Sequence, residues 1–235
     1  MLLNNQMTKI KVIIPAFNEA KAIAKVIAEI PDNVHEIIVI NNNSSDGTEI
    51  VAKKAGATVL TEKRKGYGHA CLKGLEYISL QETKPDIVVF LDGDYSDYPQ
   101  ELTKLTAFIT DDRFDFVIGA RVPELREKGS MTPQQVFGNK LATSLMKLFF
   151  GSTFTDLGPF RAIRYETLLA LNMEDKTYGW TVEMQLKILK QKFAYTEIPV
   201  RYKNRIGLSK VSGTLRGSVM AGVKIIAWIV KYTFK

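Results

Sequence analysis

Asp92, Asp94 and Asp97 fall within six positions, directly after five unbroken apolar residues, Ile87 to Leu91. Neighbouring carboxylates repel one another, so a cluster of them invites a cation. Asp92-Gly93-Asp94 sets two oxygen donors around a Gly that tolerates close approach, which suits a hard divalent ion, Mg²⁺ or Mn²⁺. Such an ion, held by one or two carboxylates, completes its shell with water and substrate phosphates. The plain alternative is a solvated acidic turn, because Asp-Gly is common in turns. A second set of residues suits the phosphates themselves. Arg121 ends "IGAR", Arg161 and Arg164 stand in "GPFRAIR", and Arg205, Ser209 and Lys210 stand in "RYKNRIGLSK". A guanidinium fork grips phosphate with two parallel hydrogen bonds. "KRKGYGHA" places Lys65 and Gly66 at a Gly-rich helix start, where backbone amides favour an anion.

The periodicity predicts the frame that carries these groups. Val12 to Ile14, His35 to Ile40, Ala57 to Leu60, Asp86 to Leu91 and Phe114 to Arg121 read as strands. Helical patterns lie between them: Ile23, Val26, Ile27 and Ile30 before Pro31, Glu49 to Ala55, the run after Gly66, and Gln100 to Ile109. Regular alternation of helices with continuously apolar strands is the pattern of an α/β fold, a mostly parallel sheet covered on both faces. Ligands bind beyond the carboxyl ends of such strands, which is where the aspartates stand. In the second half, Thr132 to Gly151, Gly179 to Phe193 and Leu215 to Phe234 read as helices, and "AYTEIPVRY" as a strand.

The chain of 235 residues, 46% hydrophobic, is large enough for one substantial core. A single cysteine, Cys71, excludes a disulfide framework and a thiolate metal cluster and fits a reducing compartment. No signal peptide is expected, and no run reaches the roughly 18 apolar residues of a membrane span. The net charge of +7 favours an anionic partner. Nucleic acid is not expected, because the basic residues are scattered and no DNA-binding motif occurs.

Taken in order, "VIIPAFNEA", "INNNSSDGT", "KGYGHA", "VVFLDGD", "IGAR", "PFRAI" and "RYKNRIGLSK" resemble glycosyltransferase family 2, and within it the dolichol/polyprenyl-phosphate sugar transferase group. The resemblance runs from Val12 to about Gly213. It implies a GT-A fold, with residues 1–212 as the catalytic domain and 213–235 as an amphipathic helical extension. It implies an inverting, metal-dependent transfer from a nucleotide-diphosphate sugar to a lipid phosphate. Pro15, Ala16, Phe17, Asn18 and Glu19 then line the base and ribose, while Lys65, Gly66, Gly93, Arg205 and Lys210 contact the donor. Asp94 binds the metal, and Asp92 binds the metal or the donor ribose and sugar. The family's usual Gln two positions later is replaced by Ser96, with Asp97 beside it. Asn41 stands where the family carries a base-reading Asp, and its amide favours a UDP-sugar over a GDP-sugar. Arg121, with Arg161 beside it, is assigned to the acceptor phosphate; a structural ion pair is the alternative for Arg161.

A phosphomonoester acceptor, with its second pKa near 6, is already nucleophilic. A hydroxyl acceptor needs a general base, for which Glu183 is preferred over Asp156. The alternative for Glu183 is a helix cap or an arginine partner. On the last helix Val219, Val223, Ile226, Ile229, Val230 and Thr233 share a face opposite Lys224, Lys231 and Lys235. That pattern suits either an anionic membrane surface, with lysines outward, or packing on the domain. The expected location is cytoplasmic, with the membrane face left open. Three other readings compete. A haloacid-dehalogenase-like phosphatase carries its Asp-x-Asp after the first strand, not the fourth. A nucleotidyltransferase carries an early basic Gly-rich loop. A binding module without turnover would fit Asn41 and Ser96.

Overall fold

The computed structural model describes residues 8–207 and 215–234. Seven strands form one sheet: β1 (Ile10–Ala16), β2 (Val34–Asn41), β3 (Thr58–Thr61), β4 (Ile87–Phe90), β5 (Phe116–Ala120), β6 (Arg161–Arg164) and β7 (Tyr195–Pro199), in the order β3-β2-β1-β4-β6-β5-β7. The helices are α1 (Ile23–Ala28), α2 (Thr48–Lys54), α3 (Tyr67–Leu80), α4 (Leu102–Thr110), α5 (Pro133–Phe150), α6 (Tyr165–Leu171), α7 (Trp180–Gln191) and α8 (Leu215–Phe234).

The apolar strands are continuous because both sheet faces are covered. Ile13 points into one core with Val88 of neighbouring strands, Phe116 and Trp180. Val12 and Ile14 point into the other with Leu102 and Leu105 of α4. Burying each such side chain contributes roughly 1.5–3 kcal/mol. β1 pairs in parallel with β2 and β4, β2 with β3, and β5 with β7. β6 runs antiparallel between β4 and β5, so those two still point the same way. The carboxyl ends of all six parallel strands therefore share one edge.

β6 and α6 were not expected. β6 is four residues, "RAIR", with an arginine at each end. So short a segment carries too little alternation to be recognised. It forms because β4 and β5 each leave an edge to be paired. The helix expected from Thr132 matches α5: Thr132 Oγ1 accepts from the Gln135 amide and the Gln135 side chain accepts from Thr132 N, a capping box. α8 packs against α5 and α7 and buries Trp228, Ile229 and Tyr232. Its lysines turn towards the domain: Lys224 Nζ lies 3.0 Å from Asp175 and Lys231 Nζ 3.6 Å from Glu174. Of the two arrangements the pattern allowed, packing on the domain is the one seen: Trp228, Ile229 and Tyr232 are buried and the lysines reach acids of the domain, while Val223, Ile226 and Val230 stay exposed. Lys235 lies outside the described residues.

Candidate active site

A cavity of about 520 Å³ opens at the carboxyl edge of the sheet. Pro15, Ala16, Phe17 and Glu19 reach it from the end of β1, and Asp92, Gly93 and Asp94 from the end of β4. Arg121 follows β5, while Tyr202 and Arg205 follow β7. Lys65 and Gly66 arrive just before α3. Each is carried there by the same topological fact, the shared direction of the strands.

The Asp92–Asp97 turn is tightly specified. Asp94 Oδ1 accepts from Ser96 N at 3.0 Å and Ser96 Oγ at 2.5 Å. Tyr95 takes a left-handed φ of 65° to allow this return. Arg205 Nη1 lies 2.6 Å from Asp94 Oδ2. Asp92 Oδ1 is buried and has no hydrogen-bond partner. Burial, and then the charge of Asp94, raise the Asp92 carboxyl to about 6, while Arg205 and Arg121 oppose the shift. Asp97 is buried behind the turn with both oxygens unpartnered, and burial pushes its carboxyl well above the usual range. Carboxylates whose charge is only partly answered by protein fit a divalent cation completed by phosphates and water. No group of three metal-ligating side chains occurs among the described residues, so Asp92 and Asp94 would hold the ion with help from the substrate.

Arg121 is aimed by Asp156. Its Nε and Nη2 donate to the two carboxylate oxygens at 2.8 and 2.7 Å, and Tyr202 lies against the guanidinium at 5.2 Å. The Arg121 guanidinium holds Asp156 below the usual carboxylate range despite burial. Asp156 is therefore committed as an arginine partner.

Four expected contacts fall elsewhere. Arg161 is fully buried beneath the edge, donating to the carbonyls of Thr181 at 3.0 Å, Leu157 at 3.3 Å and Gly158. β6 forces this, because pairing with Phe90 and Ile118 places Arg161 inside the sheet, facing Phe116. Glu183 is also fully buried; it accepts from the amides of Glu174 and Asp175, both at 2.8 Å, and pairs with Lys187 at 2.7 Å. It pins the 174–179 loop and does not line the cavity. Asn41 turns away: Nδ2 donates to Glu49 at 3.0 Å and Oδ1 accepts from Ser44 N at 3.0 Å. Asn18, at φ 56°, spends its side chain on Ser45 N at 2.8 Å. Lys210 and Ser209 lie outside the described residues.

Asn42, which follows Asn41 at the end of β2, also shapes the site. Its Oδ1 accepts from Gly66 N at 2.9 Å and its Nδ2 donates to the carbonyls of Glu62 and Arg64 at 3.1 and 2.7 Å. It thereby hangs the Lys65–Gly66 segment over the cavity. Gly66 and Gly68 are required there: a Cβ would come within 2.2 Å of the Lys176 carbonyl oxygen or 2.0 Å of that of Asp175.

The model of glycosyl transferase family 2 matches residues 11–170. An uncharacterized glycosyltransferase of Mycobacterium tuberculosis is 33% identical over 90% of this chain and 94% of its own. The chain belongs to glycosyltransferase family 2. It is similar, too, to the undecaprenyl-phosphate mannosyltransferase of Micrococcus luteus, at 29% identity over 92% of each chain. A solved structure of glucosyl-3-phosphoglycerate synthase from Mycobacterium tuberculosis, in complex with Mn²⁺, UDP-glucose and phosphoglyceric acid, superposes with a TM-score of 0.77. It shares 23% identity and covers 97% of this chain and 80% of that one. The fold is thus of the GT-A type.

This glycosyltransferase also lines its cavity with aromatic residues that sequence reasoning passed over. The Tyr67 hydroxyl, beside Asp92, and Trp180 Nε1 are buried, and both residues line the wall. Tyr67 could have been found from its place between the two glycines. Trp180 gives no such signal, since an aromatic at a helix start reads as core.

Proposed function

We propose that this chain transfers a sugar, with inversion and with a divalent cation, from a UDP-sugar to a polyprenyl-phosphate acceptor. The observation that carries the reading is that one cavity is lined both by charged groups and by apolar helix residues. Asp92, Asp94, Arg121 and Arg205, which follow the strands, line it together with apolar Leu141 and Ala142 of α5 and Ile225 and Ile226 of α8. A phosphate on a long hydrocarbon has that same combination. The undecaprenyl-phosphate mannosyltransferase and the dolichyl-phosphate hexose transferase of Haloferax volcanii, 28% identical over 89% of each chain, support the acceptor class. The UDP and Mn²⁺ in the similar synthase structures support the donor and metal.

The carboxylates lining the cavity, Glu19, Asp92 and Asp94, all lie just past β1 or β4, while Asp156 and Glu183 are committed elsewhere. An acceptor that needs no base suits this arrangement. The phosphate oxygen attacks the anomeric carbon from the side opposite the nucleotide. The bond from that carbon to the diphosphate oxygen breaks, and its electron pair leaves on UDP. A bound Mg²⁺ or Mn²⁺ would neutralise that leaving charge. Arg205 shares this task, Arg121 holds the incoming phosphate against repulsion, and Lys65 and Gly66 cover the donor. The chain then stands at the cytoplasmic face of a membrane as a peripheral protein.

The test is transfer of radiolabelled sugar from UDP-glucose, and from GDP-mannose in parallel, to undecaprenyl phosphate in detergent with Mn²⁺ or Mg²⁺. A metal-dependent, organic-soluble sugar phosphate is expected with the UDP donor. Transfer to hydroxyl acceptors alone overturns the reading.

A further inference from the structure

The outer faces of α5 and α8 are apolar where water should favour polar residues. On α5, Phe137 is 69% exposed and Leu148 73%, with exposed Leu141 on the same face and Phe149 on its flank. On α8, Val223, Ile226, Val230 and Phe234 form a stripe, Phe234 being 87% exposed. The two helices pack together, and one member of each stripe, Leu141 and Ile226, lines the mouth of the active-site cavity. The stripes therefore meet at that mouth as one surface. An exposed apolar surface of this extent marks an interaction site. No described helix is long and apolar enough to cross a membrane, so this surface does not span one as a helix.

A second cavity, about 370 Å³, flanks α5. Arg121, Arg126, Lys140 and Lys147 line it, and Asp156 is its single carboxylate. Asp156 is already engaged by Arg121. Arg126 donates to Met131 Sδ at 3.3 Å. No ion pair joins Arg126, Lys140 or Lys147 to an acid among the described residues. Lys140 and Lys147, seven residues apart, stand together at the border of the α5 stripe. The lysines of α8, by contrast, are spent on Asp175 and Glu174.

We propose that α5 and α8 form a docking face that enters an anionic lipid leaflet, with headgroup phosphates held in the cleft of Arg126, Lys140 and Lys147. The inference deepens the lipid-acceptor reading and rests on it. Two observations select a bilayer over other occupants. The apolar surface is continuous with the cavity proposed to hold a lipid phosphate, so docking would open the active site directly towards hydrocarbon. The cationic cleft lies at the border of the apolar stripe, where the headgroups of an inserted leaflet would lie.

The test is flotation of the full chain with vesicles of phosphatidylcholine alone, or with phosphatidylglycerol added, in the absence of donor and acceptor. Wild type should bind the anionic vesicles at least tenfold more tightly than the neutral ones. Lys140→Glu with Lys147→Glu should bring binding down to the neutral level. Val223→Glu with Val230→Glu should remove it from both, with an unchanged circular dichroism spectrum. Equal binding of wild type to both vesicles, or an unaffected lysine variant, overturns the proposal. So does binding of inorganic phosphate without any vesicle binding. A dimer in light scattering that Val223→Glu with Val230→Glu dissolves, without vesicle binding, assigns the face to a second copy instead. Because these vesicles contain no acceptor, failure here leaves transfer in detergent untouched. Absence of transfer in detergent beside normal flotation strikes the lipid-acceptor reading itself.

Discussion

Arg121 and Asp156 form a two-pronged ion pair at 2.8 and 2.7 Å, and the Arg121 amide donates to the same carboxylate at 2.9 Å. One acid thus fixes both the backbone and the side chain of the arginine that reaches the cavity. Both side chains are nearly buried. Removing one partner of such a pair costs about 3–5 kcal/mol, because the other charge stays buried. Asp156→Asn should lower unfolding free energy by about 3 kcal/mol in denaturant titration. Arg121→Ala should suppress transfer to polyprenyl phosphate by roughly 30- to 1000-fold, the loss of a charge-assisted contact, with UDP binding little changed. Initial rates and calorimetry measure the two separately.

Glu183 separates a structural acid from a general base. Its carboxylate holds the Glu174 and Asp175 amides, and that loop in turn presents Thr177 and Tyr178 to the cavity. Glu183→Gln should destabilise the fold by about 2–3 kcal/mol while the pH–rate profile keeps its shape. A lost acidic limb at unchanged thermal stability would reinstate Glu183 as a base.

Asp94 and Arg205 form a pair that a cation must share. Asp94→Asn should abolish metal-dependent UDP binding and leave the circular dichroism spectrum intact. Arg205→Ala should do the opposite for Mn²⁺ alone: with the competing guanidinium 2.6 Å from Asp94 removed, Mn²⁺ should bind more tightly, while UDP-sugar binds more weakly. Titration calorimetry with Mn²⁺, then with UDP-glucose, reads both. Unchanged Mn²⁺ affinity in both variants would falsify the assignment of Asp94.

Glu62 sets an acid limit on the loop over the cavity. Arg64, by side chain and amide, holds its carboxyl down at about 2, against an ordinary 4.5. A carboxyl depressed in the folded state stabilises fully above its unfolded value and ceases to do so as pH falls through the folded one. Its contribution should therefore be complete above about pH 4.5 and gone near pH 2. The melting-temperature difference between wild type and Glu62→Gln should be constant from neutral pH to about 5 and shrink below that. A difference that persists unchanged at pH 2 rules this out.

Strand identity and the acidic motif at the end of β4 were legible because they are local. The short apolar run Ile87 to Leu91, set between turn signals, reads as a buried strand and β4 spans Ile87–Phe90 of it; a strand followed by Asp92-Gly93-Asp94 puts charge at the sheet edge. Order along the chain also disclosed the family, since its motifs keep their spacing in any fold of that topology. Burial and partner choice were another matter. Arg161 looked like a phosphate ligand until an antiparallel β6 placed it inside the sheet. Glu183 looked like a base until the 174–175 amides turned towards it. Asn42 carried no signal of its contact with Gly66, and the α8 pattern fitted a membrane surface or the domain equally well until Lys224 and Lys231 met Asp175 and Glu174. Each of these partnerships joins segments whose separation in sequence says nothing of their distance. Side-chain type states which hydrogen bonds a residue can make, but only the folded chain decides which group stands within 3 Å to receive them.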